Sequence, residues 1–323
     1  MAKQAILLLA HGTPETIEQI PEYLSNVTGG RPLPPEVVEE IQRRYALIGH
    51  SPLTEITLAQ ARMVEIELSH PSRKNNDAAR VGHPEIPVYV GMRNWQPYIS
   101  DVVRQMRADG VEEAAVLCLA PQNSRTSVGL YRRAVETSGL RIDFTESWAQ
   151  HPFLIDAFAE RLRAAWSQLS AEVGAPVPVL FTAHSVPIRT IQASEGQPAD
   201  PYAEEARRTA ELVAARMPEI PRWWFAFQSQ GVSGGPWLGP TVEETLQSID
   251  ASGAKTVLLQ PIGFLCDHVE ILYDVDLFFR EFAKKLNLRL ERTESLNASV
   301  PLAKAIADLA RQGLERLKTQ GQS

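Results

Sequence analysis

Cysteine is scarce in this sequence, which has only two, Cys118 and Cys266, among 323 residues. They lie far apart, each in or beside an apolar run. Two thiols cannot supply the four thiolates that hold most iron–sulfur clusters, and they do not form the dense cysteine pattern of a disulfide framework. We therefore expect no iron–sulfur cluster, no structural disulfide, and a reducing compartment, the cytoplasm.

Long apolar runs and an excess of positive charge are also missing. The first apolar run, residues 5–10, is too short for a secretory signal, and no run approaches the roughly 18 residues of a membrane span. The formal net charge of −7 lacks the basic excess that is typical of nucleic-acid binders. The sequence therefore predicts no transmembrane segment and no nucleic-acid partner, while it leaves room for peripheral contact with a membrane.

What the sequence does contain is an alternation of short apolar or β-branched runs with segments of helical periodicity. Eight runs are interpreted as strands, near residues 5–9, 87–90, 114–119, 141–144, 178–181, 223–227, 256–259 and 286–290. Strands that alternate with helices predict βαβ units and a mostly parallel sheet. Because the chain is long for one α/β domain, we expect two domains with four strands each. The polar stretch 71–87 is predicted to be a long surface loop.

The two halves of the chain resemble each other. Residues 7–14 read LLLAHGTP and residues 180–187 read LFTAHSVP: each is an apolar strand, then Ala-His, a small residue, and Pro three positions after the His. We interpret this as a repeat of two doubly wound domains, at 1–150 and 151–323, with chance similarity of two loops as the alternative. The final helix, about 299–318, is expected to pack back on the first domain.

Two histidines, His11 and His184, each follow the end of a predicted strand. In open α/β sheets ligands bind at the carboxyl ends of the strands, so both histidines would line a cleft that the two sheets share. Imidazole titrates near neutral pH and is a common metal ligand. A histidine that only satisfies backbone groups of its loop is the alternative, and position alone does not separate the two.

Residues 261–276, PIGFLCDHVEILYDVD, form the most informative segment. Asp267 could cap a helix with Glu270 in the capping-box position, which is a purely structural reading of Glu270. However, Glu270 and Asp274 are four residues apart and share a helix face. Two neighbouring carboxylates repel, so they need a metal ion, a proton or solvent between them. With a strand-end histidine, such oxygen and nitrogen ligands suit Fe²⁺ that is handled transiently. His268 is interpreted as structural.

Several segments together resemble the signature sequences of ferrochelatases. They run in order from about residue 6 to 297 and comprise RRY at 43–45, GHSPL at 49–53, YVGMR at 89–93, TAHSVP at 182–187, FQSQ at 227–230, PWLGP at 236–240, PIGF at 261–264, DHVEILYDVD at 267–276 and ESLN at 294–297. Because separate and chemically unusual segments agree, the resemblance is specific.

The resemblance implies an α/β fold of two flavodoxin-like domains, each with a four-stranded parallel sheet, and a porphyrin cleft between them. It implies a lyase that inserts Fe²⁺ into a porphyrin in heme biosynthesis. His184 and Glu270 would be the catalytic, metal-binding pair on opposite sides of the macrocycle. Asp274 would continue an acidic track, and His11 would be a third group at the metal. Fe²⁺ and the porphyrin would be substrates, and no external cofactor would be required.

The resemblance also implies which side chains hold the porphyrin. Arg44, Tyr45, Ser51 and Tyr131 match positions that contact the porphyrin in the family, and we expect Arg93, Ser229 and Trp237 to contribute as well. Arginine suits the propionate groups of a porphyrin because its planar fork matches a carboxylate. For Trp237, a place in the core is equally consistent with the sequence.

The chain departs from the family pattern at four positions. His11 stands where many short bacterial relatives carry Tyr, so an imidazole capable of ligating iron replaces a phenol. Phe278 replaces a third acid, which argues against an extended acidic relay. Asn94 stands where His is frequent, and Thr28 where some relatives carry an Arg that contacts a propionate.

The porphyrin itself and two other functions stay open at this point. The short segment 23–44, with its glycines and prolines, is similar to the loop of relatives that take coproporphyrin III rather than protoporphyrin IX. One alternative is a cobalt or nickel chelatase of the sirohydrochlorin class, for which an Ala-His-Gly strand end at His11 is typical. Another is a non-catalytic tetrapyrrole or metal carrier. A monomer is expected in each case.

Overall fold

The computed structural model describes residues 2–69, 86–231 and 235–320. The predicted surface loop at 71–87 lies almost wholly outside these residues. Described helices follow this order: a short 3₁₀ turn (Ile17–Gln19), α1 (Ile20–Thr28), α2 (Pro35–Ile48), α3 (Leu53–Ser69), α4 (Ile99–Ala108), α5 (Val128–Glu136), α6 (Pro152–Val173), α7 (Ile188–Ile191), α8 (Tyr202–Ala215), α9 (Val242–Ala251), a π-helix (Glu270–Phe279), α10 (Arg280–Lys285) and α11 (Val300–Gln320). Within the described chain, none of these helices is both long and apolar enough to cross a bilayer.

The strands form two four-stranded parallel sheets of identical topology. The first sheet has the order β2-β1-β3-β4 and the second β6-β5-β7-β8. Their bounds are β1 (Gln4–Ala10), β2 (Val88–Met92), β3 (Glu113–Cys118), β4 (Arg141–Thr145), β5 (Val179–His184), β6 (Trp223–Gln228), β7 (Thr256–Pro261) and β8 (Arg289–Arg292). This confirms the predicted fold class. The division at about residue 150 stays a prediction.

Strand β8 begins later than predicted. The apolar run at 286–290 suggested a strand, but α10 extends to Lys285 and Asn287 adopts a left-handed conformation with φ of 52°. Leu288 is buried before the strand starts at Arg289. Burial of a turn residue therefore produced the same apolar pattern as a strand residue.

One apolar core lies between the two sheets. Alternate residues of β1 point to opposite faces, so Ile6 and Leu8 join Phe181 of the second sheet in this core. Leu7 and Leu9 face the other way, against α4 and α5. Helix α11 packs against α3, β3 and β4 of the first sheet and against α6. The sheets are therefore joined by a continuous core.

Candidate active site

The ends of β5 and β7 bring two functional segments together. His184 is the last residue of β5, and the chain leaving β7 at Pro261 reaches the π-helix at Glu270. Gly263 makes this approach possible, because a Cβ there would lie only 2.9 Å from the Cα and Cβ of Ala183. A bulkier residue at 263 would therefore push the two strand ends apart next to His184.

His184 and Glu270 form an ion pair. Nδ1 of His184 lies 3.1 Å from Oε2 of Glu270, and each side chain is about one-third exposed, at 35% and 33%. These two atoms are themselves buried, and neither has an aligned hydrogen bond within the described part of the chain. Desolvation lowers the pKa of His184, but the charge and proximity of Glu270 outweigh it and raise the pKa above its ordinary value. Desolvation raises the pKa of Glu270, but His184 outweighs it and the net shift is downward.

The His184–Glu270 distance also decides which side of a porphyrin they occupy. Carbon atoms in contact lie about 3.5–4.0 Å apart, so a flat macrocycle cannot pass between atoms that are 3.1 Å apart. The arrangement on opposite sides of the ring that the family resemblance implied is therefore incompatible with this structure. A flat ring bound against this pair would have both side chains on the same side.

His268 belongs to the same group of side chains, although its sequence suggested a structural role. Its Nδ1 donates to the carbonyl of Cys266 at 3.0 Å, which leaves Nε2 3.9 Å from Oε2 of Glu270. The ring packs against Phe264 with centroids 4.6 Å apart. Burial lowers the pKa of His268, so its neutral form is favoured beside the ion pair. Its spacing two residues before Glu270 was the signal that could have revealed it.

The capping-box interpretation of Glu270 is wrong. The residue at the N-cap of the π-helix is Val269, which has helical backbone angles and no side-chain cap. The Asp267 carboxylate instead accepts hydrogen bonds from Ser295 and Asn297. Glu270 is therefore free to face His184.

The π-helix aligns Glu270 with Asp274. Hydrogen bonds from residue i to i+5 widen such a helix to roughly 4.4 residues per turn, so residues four apart lie almost one above the other. Asp274 is buried, and its carboxylate accepts a hydrogen bond from the Ser229 hydroxyl. Burial, followed by the charge of Glu270, raises the pKa of Asp274 to about 6. The next position along this row, Phe278, is 47% exposed, so the acidic row ends at Asp274.

Arg44 of α2 lies against this row. Its Nη1 is 3.5 Å from Oδ1 of Asp274, and its Nε donates to Glu40 at 2.9 Å. The guanidinium also stacks over the ring of Tyr273, 4.9 Å from the centroid. Arg44 is therefore held by three protein groups and places a positive charge beside Asp274.

His11 follows β1 of the first sheet and is fully partnered. The Tyr23 hydroxyl lies 2.9 Å from its Nε2, and Nδ2 of Asn94 lies 3.1 Å from each ring nitrogen. Burial, then the charge of Arg93, lowers the pKa of His11 to about 3, although Glu270 acts in the opposite direction. His11 is therefore a neutral imidazole that senses the charge of Glu270 from the other sheet. Sequence reasoning missed Tyr23 and Asn94 as its partners.

Three predicted porphyrin-binding residues carry buried polar atoms without a well-aligned hydrogen bond, although the Ser51 hydroxyl lies close enough to Tyr45 to act on its pKa. They are the Tyr45 hydroxyl, the Ser51 hydroxyl and Nε of Arg93, none of which closes a hydrogen bond of ordinary geometry with the described residues. Arg93 also lies over the ring of Tyr131, 5.5 Å from its centroid. An unsatisfied buried polar group costs about 1–3 kcal/mol, so Nε of Arg93 suits a polar ligand that would satisfy it.

Ser229 and Trp237 form part of the second domain's wall. Ser229 has a left-handed backbone, with φ of 62°, and this turn delivers its hydroxyl to Asp274. Trp237 is half-buried, pairs with Pro187 in an isolated β-bridge, and would be struck by a Cβ at Gly231. Residues 232–234 of the glycine-rich loop lie outside the described residues.

The four predicted metal ligands do not converge on one point. Within residues 2–69, 86–231 and 235–320, no group of three or more His, Cys, Asp or Glu side chains is arranged to hold a metal ion. His184 and Glu270 meet, whereas Asp274 is bound by Ser229 and Arg44, and His11 by Tyr23.

Comparison with known sequences gives a consistent result. The family model described as Ferrochelatase matches residues 3–314. The chain is 54% identical to the Ferrochelatase of Acidobacterium capsulatum, with 98% of this chain and 96% of that protein covered. It is 32% identical to the Coproporphyrin III ferrochelatase of a Geobacillus species, with 98% of each covered. These relatives match the chain nearly end to end.

Solved structures support the architecture. The sirohydrochlorin chelatase SirB from Bacillus subtilis subspecies spizizenii, in complex with cobalt, has a TM-score of 0.55, with 98% of each chain covered. CbiX, described as the terminal enzyme for siroheme biosynthesis in denitrifying bacteria, has a TM-score of 0.51, with 95% and 98% covered. Identity is 14% in both cases, so these similarities concern the fold alone.

Proposed function

The chain belongs to the ferrochelatase family and inserts ferrous iron into a porphyrin in heme biosynthesis, and from that premise we propose that His184 and Glu270 exchange iron for protons on one face of the ring. The observation that carries this proposal is the 3.1 Å approach of two buried atoms that have no aligned hydrogen bond. An imidazole nitrogen and a carboxylate oxygen are both suitable Fe²⁺ ligands. The enzyme is a lyase that forms nitrogen–metal bonds.

In the enzyme without iron, the pair holds a proton. The raised pKa of His184 and the lowered pKa of Glu270 favour an imidazolium next to a carboxylate. Fe²⁺ competes for the same Nδ1 and oxygen atoms, so its arrival displaces this proton. The displaced proton goes to solvent, which the one-third exposed pair reaches. His184 and Glu270 then replace part of the water shell of the metal and present it to the pyrrole nitrogens. As iron–nitrogen bonds replace the two pyrrole N–H bonds, the two protons leave one after the other by way of Asp274 to solvent.

Asp274 suits the proton better than the metal. It lies one turn of the π-helix from Glu270, its pKa is raised to about 6, and the Ser229 hydroxyl donates to it. Arg44 places a positive charge 3.5 Å away, which disfavours a second cation at this point. We therefore assign Asp274 to accept protons that pass from the ring through Glu270, and we do not assign it as an iron ligand.

His11 is assigned to the opposite face of the porphyrin. It follows β1 of the first sheet, whereas His184 ends β5 of the second sheet and Glu270 begins the π-helix that follows β7. A neutral imidazole on that face can steady the ring while iron enters from the other side, whereas its pKa of about 3 makes it a poor acceptor for a pyrrole proton. The hydrogen bonds with Tyr23 and Asn94 would fix the orientation of its ring.

Coproporphyrin III is the proposed porphyrin. It carries propionates on all four pyrrole rings, whereas protoporphyrin IX carries them on only two. The segment between α1 and α2 is short and exposed, and Arg31 within it is exposed too. Arg93 has an unsatisfied buried Nε. Relatives named Coproporphyrin III ferrochelatase, such as that of Mycolicibacterium vanbaalenii at 34% identity, support the same choice.

We further propose that the enzyme works as a cytoplasmic monomer without a resident cofactor. Both cysteines are buried free thiols, which suits a reducing compartment. The early apolar run forms β1 at the centre of a sheet. Peripheral membrane contact stays a prediction from the sequence, and flotation of the protein with lipid vesicles would test it.

The test of the catalytic pair is anaerobic iron insertion by His184→Ala and Glu270→Gln. General acid–base groups typically contribute a factor of about 10²–10⁴, so each variant is expected to lose about a hundredfold or more in kcat. His151→Ala is the matched control, because His151 pairs with Asp308 of α11 at 3.0 Å and touches none of the site residues. Near-normal rates in both folded variants would contradict the proposal.

The choice of porphyrin is tested in the same assay. Wild-type enzyme is given coproporphyrin III and protoporphyrin IX at equal concentrations, and kcat/KM is compared. A higher kcat/KM for coproporphyrin III is expected, together with a larger drop for that substrate in Arg93→Gln. Preference for protoporphyrin IX would refute this part of the proposal and leave the catalytic pair untouched.

A further inference from the structure

Arg292, at the end of β8, forms ion pairs with two aspartates on either side of Glu270. Its Nε and Nη2 donate to the two carboxylate oxygens of Asp276, at 2.7 and 2.8 Å. Its Nη1 lies 3.2 Å from Oδ1 of Asp267. The Arg292 side chain is only 13% exposed. We call these three residues, Arg292, Asp267 and Asp276, the Arg292 clamp.

Asp267, before the π-helix, is fixed from several directions. Its carboxylate accepts from the Ser295 hydroxyl at 2.7 Å and from Nδ2 of Asn297 at 3.0 Å. Its own backbone N–H donates to the side-chain oxygen of Asn297 at 2.9 Å. Gln60 of α3 donates to the carbonyl of Asn297 at 3.1 Å, so Asn297 also connects Asp267 to a helix that packs on the first sheet. Asp267 is therefore the firmly held end of the Arg292 clamp.

Asp276, in contrast, lies inside the π-helix, six residues after Glu270. Successive residues turn by about 100° in an α-helix and by roughly 80° in a π-helix. Over six residues the two windings differ by roughly 120°. Asp276 can therefore reach Arg292 while Glu270 faces His184 only if the intervening turns are wound widely.

The charges of the clamp also favour Asp276 pointing toward Arg292. Asp267 and Asp276 share Arg292, and Nη2 of Arg280 lies 3.9 Å from Oδ1 of Asp276. A planar guanidinium binds one carboxylate with two parallel hydrogen bonds only in a narrow range of orientations. Arg292 thus constrains the direction of Asp276 as well as its distance.

We propose that the Arg292 clamp holds the π winding and thereby sets Glu270 at its working distance from His184. Asp276 and Arg292 are positioning residues in this reading, because they contact neither of the two reacting side chains. The inference rests on the proposed role of Glu270. It assigns a function to the second aspartate of the LYDVD segment and to the arginine before ESLN, which the reaction scheme leaves unused.

Asp276→Asn is the principal test, because it keeps the shape of the side chain and removes its charge. Displacement of a reacting group by about 1 Å can cost a factor of about 10² in rate. We expect kcat for iron insertion to fall by about tenfold to a hundredfold, while KM for the porphyrin changes by less than about twofold. A merely structural role would lower the unfolding temperature without lowering kcat per folded molecule.

Glu172→Gln is the matched control. Glu172 forms a similar two-bond pair with Arg289, three residues from Arg292 on the same strand, at 2.7 and 3.2 Å. That pair has no contact with the π-helix, so kcat should stay at the wild-type value. An equal loss of kcat in Glu172→Gln and Asp276→Asn would overturn the proposal, as would wild-type kcat in Asp276→Asn.

Arg292→Lys is the second variant if Asp276→Asn does not fold. Lysine keeps the charge but lacks the planar fork, so kcat is expected to fall while the protein stays folded. Wild-type kcat in Arg292→Lys would overturn the claim that the orientation of Asp276 matters.

The double variant Glu270→Gln with Asp276→Asn separates this inference from the proposed function. If the clamp acts through Glu270, Asp276→Asn adds no further loss when Glu270 is already changed. A fully additive loss would overturn the clamp and leave the catalytic pair intact. Wild-type activity of the single variant Glu270→Gln would instead overturn the proposed function itself.

Discussion

Gly263→Ala is expected to damage catalysis more than its size suggests. The added Cβ would lie 2.9 Å from the Cα and Cβ of Ala183 and 3.3 Å from the backbone nitrogen of His184. Carbon atoms in contact need at least about 3.5 Å, so the loop after β7 must retreat by roughly 0.6 Å. This loop leads to Glu270, so the retreat separates Glu270 from His184.

The magnitude follows from that displacement. If 1 Å costs a factor of about 10², a shift of roughly 0.6 Å costs about tenfold in kcat. Overpacking should also lower the free energy of unfolding by about 1–3 kcal/mol. The assay is anaerobic insertion of Fe²⁺ at saturating porphyrin, with a thermal unfolding curve of the same preparation.

Two other glycines provide the controls. A Cβ at Gly313 would lie 3.0 Å from Cβ of Ala115, on α11 and far along the chain from the catalytic pair, so Gly313→Ala should lower stability without lowering kcat. At Gly129 of α5 the nearest atom to a new Cβ is 3.7 Å away, so Gly129→Ala should change neither. The reasoning is refuted if Gly263→Ala keeps wild-type kcat, or if Gly313→Ala loses as much.

Two further predictions concern protons and positioning. Because the pKa of His184 is raised above its ordinary value of 6.5 in the folded enzyme, its proton is held to higher pH, and Fe²⁺ must displace that proton. KM for Fe²⁺ should therefore fall as pH rises above 6.5, and His184→Ala should lack this dependence. A pH-independent KM for Fe²⁺ in the wild type would contradict the scheme. The His184–Glu270 ion pair also contributes to the free energy of unfolding, and this contribution is lost as pH rises through the raised pKa of His184. Tyr23→Phe removes the hydroxyl that lies 2.9 Å from Nε2 of His11, and kcat should fall by about tenfold. Tyr89→Phe is the control, because it removes only a surface hydrogen bond to Asp109 and should leave kcat unchanged. Equal kcat in the two variants would show that Tyr23 does not position His11.

The sequence allowed the architecture to be predicted because buried parallel strands are continuous apolar runs. Seven of the eight strands lie where these runs are. At β8 the run misled, since Leu288 is buried in the turn before the strand. The motif segments also identified His184 and Glu270. The placement on opposite sides of the ring that the resemblance implied failed at their 3.1 Å contact, because no motif reports a distance between two chain segments.

The remaining site features depend on contacts between distant segments. Tyr23 and Asn94 converge on His11 from separate elements, and neither has a periodicity that indicates it. The π-helix was not predicted, because a ten-residue segment is too short for its pattern of apolar residues to separate a wide helix from an α-helix. The sequence suggested that Arg44 binds a propionate, but in the structure it pairs with two carboxylates. Glu40 lies one turn earlier in α2, and Asp274 lies in the π-helix, so the second pairing depends on a contact between distant segments.

The position of α11 has a consequence for how the enzyme is made. Helix α11 covers a face of the first sheet, yet it is synthesised after every strand of both sheets. Leu302, Ile306 and Leu314 fill the core between the sheets. During translation the face of the first sheet that α11 covers therefore stays exposed until α11 is made. An exposed apolar face favours aggregation and chaperone binding. We expect the first half to acquire its native packing only when the ribosome has delivered α11, so the porphyrin cleft is completed among the last events of folding.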